Sequence, residues 1–61
     1  MENKDSFLKV YANLRINLRN EVILVLPDKG PITWNVAFLE ISNETELGKM
    51  ILKKLMELKI I

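Results

Sequence analysis

The stretch Val22-Ile23-Leu24-Val25-Leu26-Pro27-Asp28-Lys29-Gly30-Pro31-Ile32-Thr33 decides how the chain folds. Its first five residues are aliphatic and three are β-branched, a composition that fits a pleated surface. Pro27 ends the run, because it lacks the N–H that a continuing ladder would use. Asp28-Lys29-Gly30 supplies turn chemistry, with Gly30 free to take positive φ. Pro31-Ile32-Thr33 then returns, so a β-hairpin centred on residues 22–26 is expected. A run that is apolar on both faces implies cover on both sides. In a chain this short, one of those covers can be another subunit.

Beyond the hairpin, Ile32 to Ile41 has high β-propensity, and a long second strand is one reading. Strict alternation fails, however, because Thr33, Asn35, Ala37, Leu39 and Ile41 are as apolar as the opposite set. Trp34, Ala37, Phe38 and Ile41 recur at i, i+3, i+4 and i+7, which favours a helix over about 34–42 with Thr33 as its cap. The last segment reads as the longest helix. Asn43 and Glu46 have the spacing of a capping box. Leu47, Ile51, Leu55 and Leu58 form one stripe, broadened by Leu52, and Lys49, Lys53 and Glu57 lie opposite. Gly48 falls beside that stripe, where a missing side chain lets another backbone come close. Ile60-Ile61 suggests a docked end rather than a frayed one.

Before the hairpin, Asp5 or Ser6 can cap a short helix reaching about Asn13. Phe7, Val10, Tyr11 and Leu14 share its apolar stripe. Leu14 to Asn20 alternates loosely and reads as an extended connection or a strand. The expected class is therefore α+β in the order α-β-β-α-α, as one small domain over residues 1–61.

A domain of about 60 residues buries only roughly 60% of the surface of its unfolded chain. Such a core rarely supplies more than about 3–5 kcal/mol without reinforcement. The 61 residues include neither Cys nor His, so disulfides are excluded and zinc is not expected. Hydrophobic residues nevertheless make up 49% of the chain, more than so small a body can hide. Association, as a homodimer or with a larger protein partner, is the expected reinforcement.

The same composition narrows the chemistry. Without His or Cys, the commonest general base and the thiolate nucleophile are missing, and Ser6 and Ser42 have nothing to activate them. Glu44 and Glu46 are read as first-turn residues of the last helix, meeting its dipole. No glycine-rich phosphate loop occurs. No enzyme, cofactor or metal is expected. Asn43-Glu44-Thr45 matches a glycosylation sequon, but capping accounts for it.

Nine Lys and Arg against eight Asp and Glu leave a formal charge of +1, too small to steer nucleic acid or anionic lipid from a distance. No apolar run approaches the roughly 20 residues of a membrane span. Met1-Glu2-Asn3-Lys4-Asp5 is mixed in charge and unlike a signal peptide, so a cytoplasmic location is expected. Trp34 reads as core, joining hairpin to helix. The candidate contact residues are Arg15, Arg19, Lys49, Lys53 and Met56. They would serve a small non-enzymatic interaction module that self-associates. The alternative is nucleic-acid binding through the lysine-bearing face of the last helix with Arg15 and Arg19. Solvent or a salt bridge to Glu21 is the plainer expectation for the arginines.

Overall fold

The computed structural model describes residues 3–61, so the reading of Met1 and Glu2 in a mixed-charge amino terminus lies outside the described residues. The class is α+β, with α1 at Lys4–Ala12, a 3-10 helix at Ile16–Leu18, β1 at Val22–Leu26, β2 at Gly30–Thr33, α2 at Trp34–Ser42 and α3 at Glu46–Glu57. The order α-β-β-α-α is as expected, and residues 34–42 are helix rather than a long strand.

α1 starts earlier than its capping residues predict. Asn3, at φ 65, occupies the N-cap without a side-chain cap bond, which leaves Asp5 and Ser6 inside the first turn. Asp5 still meets the positive end of the helix there. Phe7 is fully buried, while Tyr11 and Leu14 of the same stripe are half-buried.

The segment after α1 is neither extended nor a strand. Leu18 N–H donates to the Arg15 carbonyl at 2.9 Å and Arg19 N–H to that of Ile16 at 3.2 Å, so the backbone satisfies itself in i→i+3 bonds. This turn also serves α2. The Trp34 and Asn35 amides, orphaned at a helix start, donate to the carbonyls of Glu21 at 3.2 Å and Arg19 at 3.0 Å.

In the hairpin, Leu24 pairs with Ile32, Val25 with Pro31 and Leu26 with Gly30, antiparallel. Lys29 N–H closes the turn on the Leu26 carbonyl at 3.3 Å, and Gly30 takes φ 80. Leu24, Leu26 and Ile32 face the core, whereas Val25 is 66% exposed. Cover on both sides of β1, as its composition implies, is therefore present on one side only. A bulge at Ile23 shifts the register, so that Val22 pairs with Thr33.

Thr33 caps α2 as expected, its Oγ1 accepting from Val36 N–H at 3.2 Å. α3 is capped differently from expectation. Asn43 closes α2, Glu44 follows in the left-handed region at φ 52, and Thr45 is the cap of α3. The Glu44 N–H donates to the Ile41 carbonyl at 3.0 Å and the Thr45 N–H to the Glu40 carbonyl at 3.2 Å, a Schellman closure of α2. Thr45 Oγ1 then accepts from Gly48 N–H at 2.9 Å and donates to Glu40 Oε1 at 2.6 Å. One residue thus ends one helix and starts the next. Glu44 lies before the first turn, and Glu46 alone occupies it.

Gly48 is buried against α2. A Cβ there would collide with the Glu40 carbonyl oxygen and lie 2.6 Å from its carbon and 2.9 Å from the Ile41 nitrogen. The close backbone approach expected of this glycine is thus made to α2. Ile51, Leu52 and Leu55 join Phe7, Ala37, Ile41 and the hairpin's inward residues in one core, with Trp34 and Leu47 packed against it. Leu58 departs from the expected stripe. It is the C-cap and 54% exposed, because Lys59 turns left-handed at φ 59. A second Schellman closure there, with Ile60 N–H on the Leu55 carbonyl at 2.9 Å, folds Ile61 back onto the core.

Two substitutions test these geometries with opposite signs. Gly48→Ala gains about 1 kcal/mol of helix propensity but overpacks the helix contact. Overpacking costs about 1–3 kcal/mol, so stability to urea should fall by up to about 2 kcal/mol net. Lys59→Gly relieves a left-handed lysine and should raise stability by about 0.5–1 kcal/mol. A stabilised Gly48→Ala protein would show that the helices are not in backbone contact.

Candidate contact surface

Tyr11 organises the polar end of the fold. Its ring stacks on Phe38 with centroids 4.2 Å apart, and the Arg19 guanidinium carbon lies 4.5 Å above it. Its hydroxyl donates to Asn35 Oδ1 at 2.8 Å, and Asn35 Nδ2 donates to Asn20 Oδ1 at 2.8 Å. The cluster ties α1, the 3-10 turn and α2 together. Phe7 links it to Trp34, with ring centroids 6.0 Å apart. Trp34 is half-buried and packs against the core, and the half-exposed Phe38 is less of a core residue than its spacing implies.

The residues singled out from the sequence fall into two groups. Arg15 and Arg19 sit at the two ends of the 3-10 helix. Arg15 is exposed, whereas Arg19 is half-buried, with its Nε shielded and without an acceptor. The expected salt bridge from these arginines to Glu21 is not among the ion pairs of the described residues, because stacking on Tyr11 holds the Arg19 guanidinium. Lys49, Lys53 and Met56, at i, i+4 and i+7, share an exposed flank of α3. Lys49 lies 3.6 Å from Glu46, and the neighbouring Lys54 lies 3.7 Å from Glu57, so the positive charge of this helix is locally offset. Among the described residues no group of three or more His, Cys, Asp or Glu is placed to hold a metal ion.

Composition implies an apolar exterior, but most of the residues that form it were not singled out. Among the described residues eleven large hydrophobic side chains are substantially exposed, against nine apolar residues sealed in the core. α2 is the clearest case. Its only charged residue is Glu40, and that carboxylate is engaged by Thr45. Val36 and Leu39, the latter 56% exposed, therefore mark an outward face without charge. The signal was present in the sequence, since nothing charged occurs from Gly30 to Leu39. The second exposed set is on β1, where Val22 is 52% exposed and Val25 more so. Beside the end of this strand, Leu26, Pro27, Met50, Lys53, Lys54 and Glu57 line an open groove of about 300 Å³.

The chain matches no family model, no curated protein and no solved structure at a significant level. No helix among the described residues is long and apolar enough to cross a membrane.

Lys4, hydrogen-bonded to Glu44 Oε2 at 3.1 Å and positively charged, holds that carboxyl below its usual 4.5. A carboxyl lowered in the folded state contributes stability above its unfolded value and loses it as pH falls through the folded one. Lys4 Nζ also donates to the Ser42 carbonyl at 3.2 Å, so the pair clips α1 to the end of α2. In an NMR titration, Lys4→Met should move the Glu44 midpoint upward. An unmoved midpoint would show that Lys4 is not the cause.

Proposed function

We propose that this chain is a small non-enzymatic protein–protein interaction module of the cytoplasm that associates with a second copy of itself. The observation that supports it is the surplus of exposed over sealed apolar side chains, with β1 and α2 each presenting an uncharged surface to water. Large exposed apolar patches on a soluble body mark interfaces. Each Å² removed from water contributes about 25 cal/mol, against a substantial cost in lost translational and rotational freedom. A stable interface covers about 800 Å² per partner, roughly a fifth of the 4246 Å² that this chain exposes. The same surface suits an accessory role in a larger assembly, where another protein supplies the cover.

Sedimentation equilibrium at micromolar concentration tests this reading. The expected result is a mass approaching twice that of the chain and falling on dilution. A monomer at every concentration, with no protein partner recovered alongside it, would remove the proposal.

A further inference from the structure

The two edges of the hairpin are protected unequally. Pro31 has no N–H, so the Val25–Pro31 pair cannot exchange hydrogen bonds and is a non-bonded pair of the ladder. The pairs that bond are therefore Leu24 with Ile32 and Leu26 with Gly30. On the alternating pattern of an antiparallel ladder, Pro31 faces the outer edge of β2 and removes a donor from it, a common way of blunting an edge. By the same alternation, the N–H and carbonyl of Val25 point to the outer edge of β1. No other hydrogen bond from a described residue reaches them.

That edge lacks most of the usual defences. Val22–Leu26 contains no charge and no proline. The bulge at Ile23 disturbs its start but leaves Leu24 to Leu26 in regular register. Val25 is mostly exposed on the outward face, and beyond Leu26 the strand meets a groove toward α3 in which Pro27 and Met50 are joined by Lys53, Lys54 and Glu57.

We infer that β1 pairs antiparallel with β1 of a second copy, joining two hairpins into one continuous four-stranded sheet. The inference rests on the self-association proposed above and names the surface that carries it. A second copy is the occupant that fits, because an uncharged strand is its own complement about a two-fold axis and brings no like charges together. With Val25 opposite Val25 of the other copy, the two residues exchange both bonds and Leu24 lies opposite Leu26. Side-chain parity is then preserved, so the inward leucines of both hairpins stay on one face. Two strands alone are marginal in water, and four with a shared apolar face are not.

Chemical synthesis of the chain with an N-methyl group on Val25 tests the inference, since it removes the outward donor while leaving the bonded pairs to β2 intact. Val25→Lys, which sets two cations opposite each other on an exposed position, is the second variant. Val36→Lys/Leu39→Lys is the comparison, with circular dichroism confirming the fold of each. N-methylation of Val25 should weaken dimerisation about 30-fold, as expected for losing two hydrogen bonds, and Val25→Lys should weaken it by like-charge repulsion, while the α2 variant dimerises normally. If the wild type dimerises, the changes at Val25 have no effect and the α2 variant is monomeric, the edge inference is overturned and self-association stands. A wild type that is monomeric throughout overturns both.

Discussion

The fold turns on the corner where the end of α2 meets the start of α3. Gly48 brings the backbone of α3 against the Glu40 carbonyl, at a separation that any Cβ would forbid. Thr45 locks the corner from both directions, closing α2 through its amide, capping α3 through its hydroxyl and engaging the Glu40 carboxylate. The charged residue of α2 is thereby committed to an internal contact. Nothing charged remains to solvate the rest of that helix. Close approach also keeps the interior thin, since helices in backbone contact leave little room between them for side chains.

The apolar exterior follows from that economy. Phe7, Ile41, Ile51 and Leu55 are fully sealed and fill the space among α1, α2 and α3, while the hairpin lends only its inward leucines and Ile32. The other aliphatics of β1 and α2 have no layer to enter. A larger domain would lay a further helix or strand across them. In the association proposed above, a second copy of the chain meets part of this surface, and pairing at the edge of β1 extends the sheet beside it. The Tyr11 cluster, by contrast, is satisfied internally except at the shielded Arg19 Nε, which lacks an acceptor. Arg19 is spent on an aromatic ring and Asn35 on its two neighbours, which gives this end of the molecule a structural character.

Much of this was legible in the residues. The hairpin followed from five aliphatics, a proline and a glycine that needs positive φ, and α2 from the spacing of Trp34, Ala37, Phe38 and Ile41. The close approach at Gly48 followed from its place beside the apolar stripe. The failures were at junctions. Asn43 and Glu46 satisfy a capping pattern, but Thr45 has the same chemistry two residues later, and the Schellman closure at Glu44 decided between them. Leu58 keeps helical spacing, yet the backbone leaves the helix at that point. Ile16 and Leu18 look extended by alternation, but three residues can satisfy their backbone locally and no strand lies beside them. Exposure was the hardest to foresee. Periodicity says which residues share a face, not whether anything covers it, and so charged residues were singled out while Val25, Val36 and Leu39 were not.

On the proposed reading, one copy of this chain cannot shelter its own apolar surface, and folding and association are linked. Linkage of that kind makes the thermal midpoint depend on protein concentration. Thermal unfolding followed across about a hundredfold range of concentration should show the midpoint climbing steadily as the protein becomes more concentrated. A midpoint that stays fixed across the whole range would mean that each copy is stable unaided, and would contradict the account.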